Sequence, residues 1–425
     1  MLTAHLNQKI TELIPQGAPF AIAFSGGGDS TALVYALRNH PQAKHIYIVD
    51  HNLRAGSDVE AQAAKRFADA CGYDSKILKW INDSPETAIQ EKARRARYGH
   101  MGHECRKDGV EYLLTAHSED DQAETLLMRY DRKTDWRGAA GMAEVTYAPI
   151  WPSLYHVSLV RPLLGISRQE LRDYNRQHKL SWTEDPSNEN RDYARIRARD
   201  YLKTRADVRA DLLMTAQDMR ECLVEEKRIL REQCGHILRI NPNGFLTLRG
   251  IPMPELMLQS IRCVSGQNLP INRAKVRYLV FRMRDQSFRS STLGGALIFR
   301  HNKGFIISRD PVSVKGRQDS HHERVDMRRN LKFRLSDVPR VWDGRFVVTG
   351  PRHRSYMSSI FHDWELLTDE QLKFLKTVPG PVRPTLPVSK HENNIRIIGH
   401  GGSLGRVTQC LVKTRLEAAL GGKLS

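Results

Sequence analysis

The stretch Phe20 to Thr31, reading FAIAFSGGGDST, restricts the fold more than any other part of the chain. The apolar run Phe20 to Phe24 reads as a short buried strand. Ser25, Gly26, Gly27, Gly28, Asp29 and Ser30 follow, and a helical pattern continues from Thr31 to Leu37. Strand, glycine-rich turn and helix together present backbone N–H groups and a helix N-terminus to an anion. The three glycines are expected to supply positive φ and to let the backbone approach phosphate closely. Asp29 is placed to hold Mg²⁺, because hard cations take carboxylate and phosphate oxygens. A P-loop is excluded because the turn lacks its Lys, and the dinucleotide pattern fails because Ser30 and Thr31 stand where it needs glycine. The plain alternative is an ordinary strand–helix turn with N-cap residues.

Downstream, the same alternation repeats. His45 to Asp50 reads as a second buried strand, and Lys76 to Trp80 and Tyr112 to Ala116 as a third and fourth strand. Between them lie helical patterns. Ser57 and Glu60 suggest a capping box opening a helix that ends near Gly72. Thr87 to about Cys105 is a basic helix, and another runs from about Asp120 to Arg129. Such alternation predicts an α/β fold with a parallel, doubly wound sheet. In such sheets ligands bind beyond the carboxyl ends of the strands. Ser25 to Ser30, Asp50 with His51, and His117 to Asp121 all fall at such ends, which points to one shared site.

Asp131 to Pro152 carries Gly138, Gly141, Pro149 and Pro152 and reads as a long loop. His156 to Leu164 is strand-like, Ser167 with Glu170 forms a second capping box, and Ser181 to Asn188 is rich in turn residues. Helix formers dominate from Asp192 to about Cys234. These features place a first domain at 1–215, a mostly helical middle domain at 216–312, a polar linker at 313–332 and a small α+β domain at 333–425.

The chain has 425 residues, with 66 Lys and Arg against 48 Asp and Glu, a formal charge of +18. That balance favours a polyanionic partner, above all nucleic acid. The six cysteines (Cys71, Cys105, Cys222, Cys234, Cys263, Cys410) form no C-x-x-C pair, as reduced thiols of a cytoplasmic protein would. No secretory leader and no membrane span are expected. The residues leave the oligomeric state open, a homodimer included.

Three constellations carry chemistry. Asp121 and Glu124 lie three apart on one helix face, with His117 at the preceding strand end. A carboxylate pair beside a phosphate loop suits Mg²⁺ or a substrate ammonium. Lys92, Arg94, Arg95 and Arg97 pack four cations into six residues, suited to nucleotide or RNA phosphates. Arg191, Arg195, Arg197, Arg199, Lys203 and Arg205 form a longer basic run, interleaved with Tyr193 and Tyr201, which suit core packing or base stacking.

Ser25 to Ser30 resembles the PP-loop of the N-type ATP pyrophosphatases. Four further segments resemble one branch, the tRNA(Ile)-lysidine synthetases: Val49 to Arg54 with Ser57 and Glu60; Ala93 to Tyr98; Ala116 to Thr125; and Asp185 to Asn188 with Tyr193, Arg195, Arg197 and Arg199. They cover residues 20–200 in order; beyond 215 only Thr292 to Gly295 resembles the family's middle domain. The resemblance implies an adenine nucleotide α-hydrolase-like fold and a two-step reaction. ATP adenylates carbon 2 of the wobble cytidine in the CAU anticodon of tRNA(Ile), and the ε-amine of free L-lysine then displaces AMP. Residues 25–30 would bind ATP, with Asp29 on Mg²⁺ and Arg97 on phosphate. Asp121 and Glu124 would hold lysine, His117 would take a proton or touch nucleotide, and Arg195 would reach nucleotide or tRNA. Arg191, Arg197, Arg199, Lys203 and Arg205 would bind tRNA. Two features depart from the family: residues 128–138 lack its Arg-Gly-Ser-Gly run, and Ile196 stands where Asn is common. A PP-loop tRNA thiolase is the alternative enzyme, but the cysteines lack the pairing it needs. A tRNA-binding protein without catalysis is the other alternative.

Overall fold

A computed structural model of the chain describes residues 1–50, 56–79, 89–184, 194–268, 270–315, 331, 333–350, 355–360, 364–391, 394–397, 406–422 and 424. The chain divides into two compact units, Met1–Glu226 and Lys227–Ser425.

The first unit begins with α1 (Leu2–Leu13), β1 (Phe20–Phe24), α2 (Gly28–Ala36), β2 (Ala43–Asp50), α3 (Ser57–Ala70), β3 (Asp74–Lys79), α4 (Ile89–Lys107), β4 (Tyr112–Leu114) and α5 (Glu119–Asp131). It continues with α6 (Trp136–Ala139), β5 (Val145–Tyr147), β6 (Ser158–Val160), α7 (Arg168–Gln177) and α8 (Ala194–Lys203). Helix α9 (Ala206–Ile237) runs across the boundary between the units. The sheet order is β3-β2-β1-β4-β6-β5. All pairs are parallel except β5 with β6.

The strand pattern explains the two-sided covering. Along β1, Phe20, Ile22 and Phe24 join a core with residues of α1, α2, α3 and α7, whereas Ala21 joins a second core with Tyr98, Met101 and Cys105 of α4. Successive side chains of a strand point to opposite faces, so an unbroken apolar run needs helices on both. Strand β1 lies between β2 and β4: the chain runs outward from β1 through β2 to β3 and then crosses back to β4 on its other side. The carboxyl ends of β1 and β4 flank that switch point, where open α/β sheets bind ligands.

Some sequence expectations differ from the structure. Residues 131–152 are not a bare loop: α6 and the edge strand β5 lie within it. Three residues are too few to show strand periodicity, and β5 is held by its partner β6 and by Arg161, whose Nη1 donates to Ala143 O and Thr146 Oγ1. Ser57 does not cap α3. Gly56, at φ 88°, takes the N-cap position, and Ser57 Oγ donates to Asp50 Oδ1 at 2.8 Å. Asp50 is a buried carboxylate, and a buried charge needs a donor. Ser167 and Glu170 do form a capping box on α7.

The second unit contains β7 (Leu238–Ile240), β8 (Leu246–Leu248), α10 (Pro254–Ser265), α11 (Arg273–Arg282), β9 (Ser290–Leu293), β10 (Ala296–His301), β11 (Gly304–Arg309) and α12 (Pro311–Lys315). Then come β12 (Phe333–Arg334), β13 (Arg340–Trp342), β14 (Phe346–Thr349), β15 (Ser355–Ser359), α13 (Asp369–Thr377), β16 (Pro387–His391), β17 (Asn394–Ile397), β18 (Arg406–Cys410) and α14 (Leu411–Leu420). Its sheets are β7-β8-β11-β10-β9, β12-β15-β16-β17 and β13-β14-β18. Residues 216–312 are therefore not only helical: they carry a five-stranded antiparallel sheet. Of the expected linker at 313–332, residues 316–330 and 332 lie outside the described residues.

Candidate active site

The glycine-rich turn leaves β1 and enters α2 within three residues. Only Gly26 takes the left-handed conformation, at φ +79°; Gly27 is the N-cap of α2 and Gly28 its first residue. Positive φ is thus required once, not three times. Ser25 and Ser30 hydroxyls lie 3.1 Å apart, and Ser30 Oγ donates to Gly27 O at 2.9 Å. The turn is braced by residues after β6: Asn175 of α7, and Trp182 and Thr183 of the turn-rich segment that begins at Ser181. Asn175 Nδ2 donates to Gly28 O, the Thr183 N–H donates to Gly26 O, and the Trp182 indole lies where a Cβ on Gly28 would touch it at 3.4 Å.

Across the switch point, α5 follows β4. Asp121 Oδ2 accepts from the Ser118 N–H at 3.0 Å, fixing the helix start. Asp121 Oδ1 accepts from Arg168 Nη2 and Arg195 Nη2, each at 2.8 Å. Glu124 is more enclosed, with 2% of its side chain exposed. It accepts from Arg195 Nε at 2.7 Å, from Arg199 Nε at 2.8 Å and from both Arg168 Nη atoms at 3.3 Å. The expected lysine pair is thus brought together, and three guanidiniums converge on it. Arg168 Nε also lies 3.5 Å from Asp29 Oδ2. Its backbone N–H donates to Asp120 Oδ2 at 2.7 Å, and Arg209 Nη2 donates to Glu119 Oε1 at 2.6 Å.

Charge states follow. Burial pushes the Asp29 carboxyl up to about 6, and Asp121 and Asp120 add to the rise against the pull of Arg168. Burial acts the same way on Asp121, but Arg195, Arg168 and the Ser118 N–H outweigh it and hold that carboxyl below its ordinary range. Burial opposes the charge of Arg168, yet Asp121, Glu124 and Asp29 raise its pKa above the ordinary value.

The remaining candidates separate. His117 Nδ1 lies 2.8 Å from Thr115 Oγ1, at the end of β4. Arg97 lies on α4 with its guanidinium 5.1 Å from the ring of buried Tyr98. On α8, Arg195 and Arg199 turn inward to the acidic pair, while Arg197 and Lys203 are exposed, as is Arg205 just beyond the helix. Ile196 is buried between these faces. Tyr201 is 43% exposed with Arg205 over its ring, so it is not a core residue. Arg191, Tyr193, His51 and residues 185–188 lie outside the described residues, as do the side chains of Lys92, Arg94 and Arg95. Arg168 is the residue missed by sequence reasoning. The signal was the Ser167–Glu170 capping box: it marks the helix after β6, whose first residue lies at the carboxyl end of a parallel strand.

A serine- and glycine-rich anion turn after the central strand, facing a buried acidic pair across the switch point, defines a PP-loop nucleotide-using domain. A family model described as a PP-loop domain matches residues 2–206. The tRNA(Ile)-lysidine synthase of Ruegeria pomeroyi is 34% identical over 367 residues, which are 82% of this chain and 80% of that protein. The one from Anaplasma marginale is 32% identical over 364 residues, 80% of this chain and 73% of that protein. The chain belongs to the tRNA(Ile)-lysidine synthase family. Among solved structures, a U34-tRNA thiolase from Methanococcus maripaludis matches at 15% identity and a TM-score of 0.43, covering 52% of this chain and 77% of that one.

Proposed function

We propose that the chain uses ATP and L-lysine to convert the wobble cytidine of tRNA(Ile) with a CAU anticodon into lysidine, so that the tRNA reads AUA rather than AUG. The observation that carries this reading is the Arg168-linked pairing of the phosphate turn with Asp121 and Glu124, in a member of this family. A cytidine carbonyl oxygen is a poor leaving group, so activation comes first. That oxygen attacks the α-phosphorus of ATP, and pyrophosphate leaves. The ε-amine of lysine then attacks carbon 2, AMP leaves with the oxygen, and the amine gives up its proton, for which His117 is the candidate acceptor. The product is a new carbon–nitrogen bond, which makes the enzyme a ligase.

The backbone of residues 25–30 suits the phosphates, since the turn sits at the N-terminus of α2. Asp29 fits Mg²⁺: it is an enclosed carboxyl raised by burial, and a cation beside it favours its charged form. The ion would supply charge neutralisation at the leaving pyrophosphate. Arg97 is proposed to meet phosphate. Asp121 and Glu124 are proposed to hold the lysine ammonium, and Arg195 to contact nucleotide or tRNA. Arg191, Arg197, Lys203 and Arg205, with segments 216–312 and 333–425, are proposed to bind tRNA, whereas Arg199, expected there too, turns inward to Glu124 and is proposed to hold the acidic pair in place. A cytoplasmic place fits this substrate; among the described residues no helix is long and apolar enough to cross a membrane.

The test incubates the protein with ATP, Mg²⁺, radiolabelled lysine and tRNA bearing CAU. Lysine incorporation into that tRNA is expected. No incorporation, with pyrophosphate release indifferent to tRNA, overturns the reading. Asp29→Ala is expected to abolish pyrophosphate release while leaving tRNA affinity within about twofold, because most of that affinity comes from basic side chains elsewhere meeting the tRNA backbone.

A further inference from the structure

Arg168 touches the phosphate turn and the acidic pair at once. Its Nε lies 3.5 Å from Asp29, its Nη2 is 2.8 Å from Asp121, and both Nη atoms are 3.3 Å from Glu124. Its backbone is fixed, because its N–H donates to Asp120 at 2.7 Å at the start of α7. A shift of its guanidinium therefore needs only side-chain rotation.

Within the enclosed set the charges balance: Asp29, Asp121 and Glu124 face Arg168, Arg195 and Arg199, while the more exposed Glu119 and Asp120 pair with Arg209 at its edge. An ammonium added to that set leaves an excess positive charge in a partly dehydrated place, which is costly. Phosphates on the turn bring the opposite charge, and they arrive beside Asp29. Of the three guanidiniums, Arg195 and Arg199 are ion-paired with the acidic pair, while Arg168 also reaches Asp29.

Resting on the function proposed above, we propose that Arg168 is a positioning residue that couples the two substrate sites. Nucleotide phosphates draw its guanidinium toward the turn and loosen its hold on Asp121 and Glu124, so ATP raises the affinity for lysine. The effect is reciprocal: lysine at the pair pushes the guanidinium toward the phosphates and tightens ATP by the same factor. The device orders the reaction, since amine is held best where nucleotide is already bound.

The experiment is calorimetric titration of L-lysine into the full-length protein with CAU tRNA present throughout, with and without Mg²⁺ and α,β-methylene-ATP. In the wild type the analogue is expected to tighten lysine by a factor in the usual coupling range of about 5–150. In Arg168→Gln the factor should fall to near one. Arg168→Lys should be intermediate, because an ammonium keeps the charge but lacks the fork that spans three carboxylates. Thermal unfolding midpoints are recorded alongside, and if Arg168→Gln does not fold, Arg168→Lys carries the comparison. An unchanged factor in the folded variants overturns the proposal, as does a factor of one in a wild type that binds both ligands. A wild type that binds neither ligand and incorporates no lysine overturns the functional reading itself.

Discussion

Glu124 places a carboxylate with 2% exposure at the meeting point of three guanidiniums. Such a group is stabilising only while its partners are present, and removing one side of a buried pair leaves uncompensated charge. Glu124→Ala should therefore cost about 3 kcal/mol of stability, read as a lower urea midpoint. His156 is the opposite case, a base kept neutral. Burial, helped by Arg106, pushes its imidazole down to about 4, and neither ring nitrogen has a hydrogen-bond partner among the described residues. Its ring packs on Tyr155 at 4.9 Å. Below its ordinary value of about 6.5 the unfolded chain takes a proton that the folded chain refuses, so stability falls as pH drops from about 6.5 toward 4. The loss at this site is at most about 3 kcal/mol, and His156→Gln should flatten the pH dependence of the unfolding midpoint in that window. An unchanged slope would count against it. Asp121 and Glu124 were legible as a pair because three-residue spacing on a helix is local information. Arg168 was not, because Glu124 and Asp121 lie 44 and 47 residues away in sequence and Asp29 farther still, and only the sheet topology brings them to one place.

At the scale of elements, α8 shows how one basic run divides into two tasks. Arg195 and Arg199, four residues apart, share the face turned to α5. Arg197 and Lys203 on α8, and Arg205 just after it, are solvent-exposed. Replacing Arg197, Lys203 and Arg205 together by Ala should weaken tRNA binding at every salt concentration. The slope of log K against log salt should fall by about one for each tRNA phosphate that is no longer neutralised. The lysine KM should not move. Filter binding across a salt series, paired with lysine kinetics, separates these effects. A changed KM with an unchanged slope would show that this face does not meet the polyanion. Charge alone could not divide the run; helical phase could, once the start of α8 was known. The same limit explains the rest of the fold. Strands β1, β2 and β4 were legible because each carries an apolar run within the sheet, Phe20–Phe24, Ile46–Val49 and Leu113–Leu114, whereas the edge strand β3 offered only Ile77 and Leu78 between polar residues. Strand β5 is three residues on an edge, with too little pattern to read. The short strands of the second unit announced themselves only as apolar pieces between Gly and Pro, because their pairing is set by partners far along the chain. Strand β14, for example, pairs with β18, so that Val347 faces Gln409.

For the whole molecule, two compact units raise the question of whether stability is one quantity or two. Each unit has its own enclosed ionic knot. In the first it is the set around Glu124. In the second it is Asp343, which accepts from Arg309 Nε and Nη2 at 3.1 Å and from Arg345 Nε at 2.9 Å. Both arginines are almost fully buried, and each also donates to a backbone carbonyl, Arg309 to Gly295 and Arg345 to Thr385. One carboxylate thus joins β11 to the β13–β14 turn. Asp343→Ala leaves two buried guanidiniums without their shared anion, a change expected to cost about 3–5 kcal/mol. If the units unfold separately, a single unfolding free energy does not describe the chain. Differential scanning calorimetry of the full chain should then show two transitions. Asp343→Ala should lower one and Glu124→Ala the other, each leaving its companion within about one degree. A single transition lowered by both substitutions would mean that the units melt as one, with α9, the helix common to both, transmitting the loss. The same pair of variants separates the two proposed tasks. Glu124→Ala should suppress lysine transfer at temperatures where the protein remains folded. Asp343→Ala, placed far along the chain from the catalytic residues, should reduce tRNA affinity while leaving the lysine KM of the bound complex unchanged.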